Sequence, residues 1–467
     1  MNKPYEILLF GLLALQLIGC ASYPHNPRLL HYDQNTGYRY DNLDKHSNSE
    51  SLFVVLSFSG GGTRAAALSY GVMEKLRTTK IQWEGRERRL LDEVDVISSV
   101  SGGSFTSAYY GLFGEALFLD FPKVFLHRDI EGELKRLVVK PVNWLRLASP
   151  SFGRIDLVAE FYDREIFDER SYADLTRQGS PFIMLNATDM SMGSQFIFTQ
   201  DQFDLICSDL SGVKVARAVA ASSNFPVAFT PLTINNYAGS CGFTGPVWLD
   251  LALQDLQINP SRFNRARIAK SYLDGLERPY VHLLDGGVSD NIGLRGPLIA
   301  MSSNDPEWNV VNKINRGEIR KIVVITVDAK TSPPLQFDRS PNPPGTIDVL
   351  RTLTDIPMGN YSFDTVEWMR EIFKEWGKAG KVYASCERIL QGKCPAAEMP
   401  FPAPAFPDLY RVYVGFDQIK DEQERKYFQA MPTSFTLPEQ DVDNLIEVAK
   451  TLMDDSAGFQ ALLSDLP

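Results

Sequence analysis

Residues 94–111 read VDVISSVSGGSFTSAYYG. Seven residues of strand character, Val94–Val100, stop at Ser101-Gly102-Gly103, and a segment of helical character follows. The β-branched and apolar run predicts a buried strand, and the serine with two glycines predicts a tight strand-to-helix turn. Such a turn projects a hydroxyl out of the sheet. Small residues two positions either side of it let the flanking backbones close up, and here these are Ser99 and Gly103. In the competing frame, centred on Ser99, the +2 position is Ser101, a poorer fit. Ser101 therefore reads as a nucleophile whose developing anion faces a helix N-terminus. The plainer reading is a Ser/Gly turn in which Ser104 caps the helix.

Strand-like and helix-like stretches alternate around this segment from Leu52 onward. Leu52–Phe58 (LFVVLSF), 182–185, 281–284 and 322–327 (IVVITV) are further short apolar runs. Continuous apolar runs predict an α/β fold with a mainly parallel sheet covered by helices on both faces. Apolar residues at 44% are enough to fill such a core. Past Thr331 the character changes to two proline-rich stretches, 332–345 and 395–407, with helical segments at 364–378 and 439–454. We expect residues 51–330 to be the α/β body and 331–467 a mostly helical and loop extension packed on it. In 364–378, Val366, Met369, Phe373 and Trp376 share one helical stripe, expected to pack on the body rather than dip into lipid. Glu367, Arg370, Glu371 and Lys374 form its solvated face. Residues 143–172 read as a cap over the site or as surface helix.

Two more strand exits carry chemistry. Phe58-Ser59-Gly60-Gly61-Gly62-Thr63-Arg64 places three glycines between strand and helix, exposing backbone N–H groups to an anion, phosphate or oxyanion. It has neither the GxxxxGK[ST] of a P-loop nor GxGxxG spacing. Leu284-Asp285-Gly286-Gly287 places a carboxylate at a strand end, where Asp-Gly is also a common turn. Histidine is an unpromising base. His25, His31 and His46 lie in a polar N-terminal stretch, His127 in a helical region, and His282 inside a strand. None follows Asp285, so the order Ser…Asp…His is not met. That leaves Asp285 to take the proton from Ser101 directly, a task for which burial would raise its pKa.

Taken in order, the three loops resemble the patatin-like phospholipase family. Its G-G-G-x-R, G-x-S-x-G and D-G-[GA] motifs stand here as Gly60-Gly61-Gly62-Thr63-Arg64, Ser99-Val100-Ser101-Gly102-Gly103 and Asp285-Gly286-Gly287. Asn186-Ala187-Thr188-Asp189 and the ASSNFPVAFTP within 216–231 also fit, so the resemblance spans residues 52–329. Ser99 departs from it, replacing the first glycine of the nucleophile motif. The resemblance implies a three-layer α/β/α hydrolase fold and a Ser–Asp dyad hydrolysing acyl esters of phospholipids or lysophospholipids. Ser101 would be the nucleophile, Asp285 the base, and the N–H groups of Gly60, Gly61 and Gly62 the oxyanion hole. Arg64 would brace that loop or attract a lipid phosphate. No metal or organic cofactor is implied. A general esterase on soluble esters and a non-catalytic lipid-binding protein are the alternatives.

The N-terminus adds a location. MNKPYEILLFGLLALQLIGC has one lysine, an apolar run too short to span a bilayer, then Gly19-Cys20. Leu17-Ile18-Gly19-Cys20 resembles the bacterial lipobox, which implies a signal peptide at 1–19 and a lipidated Cys20 anchoring the chain to a membrane. Ala21-Ser22 carries no aspartate, which favours the outer membrane. Residues 20–50, polar after the cysteine, read as a tether. Cys207, Cys241, Cys386 and Cys394 permit two disulfides in an exported chain, with 207–241 and 386–394 preferred among three pairings. A net charge of −11 argues against nucleic acid as a partner.

Overall fold

The computed structural model describes residues 21–179, 181–226, 228–305, 308, 310–331, 341–394 and 407–466. Residues 1–19, Cys20 and most of the two proline-rich stretches lie outside the described residues. The strands are β1 (Leu52–Phe58), β2 (Lys80–Trp83), β3 (Arg86–Arg89), β4 (Val94–Val100), β5 (Phe182–Asp189), β6 (Ser194–Ile197), β7 (Leu232–Asn235), β8 (Tyr280–Asp285), β9 (Lys321–Asp328) and β10 (Asp408–Gly415). β2 and β3 form a separate hairpin, and the rest make one sheet in the order β10-β9-β1-β4-β5-β8-β7, with β6 pairing on β5. All residues of β1, β4 and β5 are buried. That explains their near-continuous Val/Ile/Leu/Phe content, since helices cover both faces in a three-layer α/β/α arrangement. Helices α1 (Gly62–Thr78) and α2 (Gly102–Phe113) follow β1 and β4 directly, and α1 packs against both α2 and the C-terminal helix Glu439–Asp455.

The sheet is mixed where we expected it mainly parallel. β10, β9, β1, β4 and β5 run parallel, but β8 enters antiparallel to β5, and β7 antiparallel to β8. This reversal positions the site. Val100 pairs with Asn186 and Asp285 with Ala187, so the ends of β4 and β8 reach one level on either side of β5.

Two expectations about the flanks are corrected. Residues 21–50 are no free tether. Tyr38 is fully buried, stacks on Phe182, and its hydroxyl accepts the N–H of Ile183 at 2.7 Å. Arg39 pairs with Asp201 and Asp204, and Asn26 donates to Ser208 Oγ at 2.8 Å. The polar composition hid aromatic side chains whose burial outweighs the chain entropy lost. The C-terminal third also does more than pack on the body, because β10 extends the sheet beyond the boundary expected at residue 330. The stripe at Met369 and Phe373 is buried against the core as expected, with Val366 and Trp376 beside it. Its helix is far longer than 364–378, running over Thr346–Lys393.

Cys207 and Cys241 are bonded, with Cα atoms 5.5 Å apart. Cys386 and Cys394 are free and exposed, against expectation. The helix carries on through Lys393, so eight residues at about 1.5 Å rise hold the two near 12 Å apart, beyond disulfide reach.

Candidate active site

The β1–α1 loop lies directly against Ser101-Gly102-Gly103. A Cβ on Gly102 would overlap the backbone of Gly62, and one on Gly103 would stand 2.7 Å from Phe58 Cβ and 2.8 Å from Ser59 O. The strand exit therefore needs two glycines because the β1–α1 loop is packed directly on it. Gly103 N–H donates to Ser59 O at 3.3 Å, tying the two loops. Ser101 itself has φ 50° and ψ −119°, a conformation that costs a residue with a Cβ on the order of 1–3 kcal/mol. It lies at the N-terminus of α2 and is 8% exposed. Ser99, the departure from the motif, is accommodated because its hydroxyl bonds Ser107 Oγ at 2.6 Å.

Asp285 is buried at the end of β8. Burial pushes its carboxyl up to about 7, while the N–H of Gly287, at 2.8 Å, and the Ser101 hydroxyl donate to the carboxylate and pull it down. Ser101, at the end of β4, and Asp285, at the end of β8, thus stand at one level across β5. No histidine joins them: His282 points outward to Thr233 Oγ1, His127 to Asp443 and His46 to the carbonyl of Gln178.

The glycine loop adjoins this pair. A Gly60 Cβ would be 3.2 Å from Ser101 Cβ. The three N–H groups are not equivalent, however. Gly60 N–H donates to Asn291 O at 2.9 Å and is spent, whereas those of Gly61 and Gly62 make no backbone hydrogen bond among the described residues. Gly61 and Gly62 have φ of 140° and 62°, which only glycine adopts readily. Arg64 is 3% exposed and stands behind the loop: Nε donates to Ala329 O at 2.9 Å, and the terminal nitrogens donate to Met431 O at 2.7 Å and Thr433 Oγ1 at 3.1 Å. All its contacts are to protein, the geometry of a brace.

Two residues that the sequence reading passed over hold the pair together. Ser222 Oγ accepts the N–H of Ser101 at 2.9 Å, and Ser222 O accepts the N–H of Gly286 at 3.1 Å. Asn224 O accepts the N–H of Asp285 at 3.0 Å, and its Nδ2 donates to Leu283 O and Thr230 O. Both belong to ASSNFP, and that segment was their only signal. Asn186 is fully buried with Nδ2 donating to Ser98 Oγ and Ser99 O, which fixes the end of β4. Among the described residues, no group of three His, Cys, Asp or Glu side chains is arranged to hold a metal. Chemically, a hydroxyl near a carboxyl of raised pKa, beside N–H groups without a backbone acceptor among the described residues and a helix N-terminus, can attack an electrophile and have its negative charge received.

A mixed sheet flanked by helices, with a glycine loop, a serine turn and an Asp-Gly-Gly turn at one level, defines the patatin fold. The patatin-like phospholipase model matches residues 56–298, more than half the chain, and the chain belongs to that family. Among solved structures, human GIVD cytosolic phospholipase A2 is similar at 12% identity and TM-score 0.41, over 89% of this chain and 62% of that one. Its complex with methyl gamma-linolenyl fluorophosphonate gives 12% and 0.42, over 89% and 59%. VipD from Legionella pneumophila gives 11% and 0.26, over 94% and 73%. The chain spans about three fifths of the length of the human structures. No curated protein matches it.

Proposed function

We propose that this protein is a membrane-anchored serine acyl hydrolase that cleaves fatty acyl esters of phospholipids or lysophospholipids through a Ser101–Asp285 dyad. The observation that carries the reading is the placing of Ser101, in a strained turn at the end of β4, and the buried Asp285, at the end of β8, at one level on either side of β5, with burial raising the carboxyl to about 7. Ser101 Oγ attacks the ester carbonyl as its proton passes to Asp285, and the oxyanion is received by the N–H groups of Gly61 and Gly62. Collapse breaks the ester C–O bond, and the leaving alcohol takes the proton from Asp285. Water then attacks the acyl-serine, giving its proton to Asp285, and the fatty acid departs as Ser101 regains a proton. Arg64 braces the oxyanion loop. The lipobox-like Leu17-Ile18-Gly19-Cys20 supports lipidation at Cys20 and a place in the bacterial cell envelope, at the outer membrane.

The test is a fluorophosphonate probe in mixed micelles, applied to a chain begun at Ala21, where the described fold begins. Peptide mass spectrometry should find the adduct on Ser101, and Asp285→Asn should abolish it. No adduct on the folded protein would reject the hydrolase reading. Rates that rise when the substrate aggregates separate a lipase from an esterase acting on soluble esters.

A further inference from the structure

Helices α3 (Ile130–Val139) and α4 (Pro141–Leu147) form a hairpin turned at Lys140. Ile130, Leu134 and Asn143 face inward and are buried. On the outside, Val139, Val142, Trp144 and Leu145 are 61%, 63%, 59% and 58% exposed, an apolar cluster no protein group covers among the described residues.

The hairpin is fastened at both ends to the site. At its start, Glu131 N–H donates to Thr436 Oγ1, and the Glu131 carboxylate accepts from Ser434 Oγ. Ser434 O in turn accepts the N–H of Thr63 at 2.9 Å, in the oxyanion loop. Past its end, Gly153 is packed on Thr230, whose carbonyl accepts Asn224 Nδ2, and Asn224 O accepts the N–H of Asp285. The described chain also begins here. The carbonyl of Ala21 accepts Ser149 Oγ at 2.6 Å and Ser151 Oγ at 3.2 Å, and Tyr23 N–H donates to Ser151 O at 2.7 Å. Ala21 is thereby held beside Ser149, two residues in sequence beyond α4.

We propose that the outer face of the α3–α4 hairpin rests in the interfacial layer of an anionic phospholipid bilayer, with Val142, Trp144 and Leu145 below the headgroups. Anchor and patch then hold the helices that join the oxyanion loop to the acid loop against the membrane. Charge bears on this occupant at the turn, where Lys140 stands between the two helices, whereas Lys135, Arg136 and Arg146 pair with Glu131, Asp129 and Glu160 around the patch. Basic side chains flanking Trp and aliphatic residues on an exposed helical face are what an interfacial segment requires. Among the described residues no helix is long and apolar enough to cross a membrane. The inference deepens the proposed membrane-anchored reading and rests on it.

The experiment uses the acylated chain in phosphatidylethanolamine/phosphatidylglycerol vesicles carrying bromine at defined acyl depths. Shallow bromine should quench the tryptophan emission of the wild type, and Trp144→Phe should remove much of that quenching. Equal quenching in both overturns the proposal. In parallel, the chain begun at Ala21 should sediment with the same vesicles, and Val142→Ser with Leu145→Ser should weaken partition about tenfold with melting unchanged. Unaltered partition, or a change in oligomeric state in place of it, overturns the proposal by showing the patch idle or covered by a second copy. Failure of the anchoring reading looks different: the N-terminal peptide carries no acyl mass, while the Ala21 chain still decides the patch. Failure of the hydrolase reading shows only as a missing Ser101 adduct.

Discussion

Burial of Asp285 predicts the pH behaviour of the candidate site. If Asp285 is the base, its carboxyl at about 7 is half protonated at neutral pH, and kcat/KM should rise with pH along an acid limb centred there. Asp285→Asn should remove that limb and at least about 10³-fold of the rate, read from initial rates between pH 5 and 9. The same shift bears on stability with the opposite sign. Its pKa in the fold exceeds the unfolded value, so between about pH 4 and 7 the folded chain keeps a proton the unfolded chain has released. Stability from this residue therefore declines as pH rises through that window. Asp285→Asn should accordingly melt higher than wild type at pH 8 and lose that advantage near pH 4, by calorimetry. Ser222 is a positioning residue, holding the N–H of Ser101 and, through its carbonyl, that of Gly286. Ser222→Ala leaves the Ser101 N–H without its acceptor, at about 1–3 kcal/mol. We expect kcat to fall roughly tenfold to a hundredfold, with KM little changed and partial rescue by Ser222→Thr.

At the scale of elements, the glycine loop is held from behind by a segment more than three hundred residues away. Arg64 joins the start of α1 to the end of β9 through Ala329 O and to Met431 and Thr433, while Ser434 O lies where a Gly62 Cβ would go. Burial draws the guanidinium down to about 10, against a small upward effect from Asp328, so it remains charged at neutral pH. Arg64→Met should orphan two buried carbonyls and destabilise the fold by about 3 kcal/mol. Faster amide exchange should then appear at residues 59–63, with a loss of kcat. Arg64→Lys, a point charge without the planar fork, should rescue little. Normal exchange and full activity in Arg64→Met would refute the bracing role.

For the whole molecule, two connections far apart in sequence close the body. The Cys207–Cys241 bond spans 34 residues, and the N-terminal segment lies across it, with Leu29 N–H donating to Cys207 O and Tyr32 N–H to Cys241 O. On loop-entropy grounds, Cys207→Ser should cost about 4 kcal/mol, read from urea unfolding under oxidising conditions. A chain begun at residue 51 should fail to fold cooperatively, because it lacks Tyr38, Tyr40 and Leu43 from the core. A cooperative melt from that chain would return residues 21–50 to the role of a tether.

Local chemistry is what the sequence determined by itself. Val94–Val100 and Leu52–Phe58 read as buried strands because apolar β-branched runs admit little else, and Ser101-Gly102-Gly103 read as a turn because backbone torsions are chosen residue by residue. Ser101, Asp285 and the glycine loop were legible as candidates because each sits beside glycines whose need is local. Tertiary structure alone decided the antiparallel entry of β8, the spending of Gly60 N–H on Asn291, and the bonds of Ser222 and Asn224. It also decided the burial of residues 21–50 and the separation of Cys386 from Cys394 along one helix. Those outcomes depend on which polar groups remove water from one another after folding, and no spacing along the chain records that. The pKa of Asp285 is the clearest instance: its residue type permits a carboxylate anywhere, and burial at the end of β8 raises it to about 7.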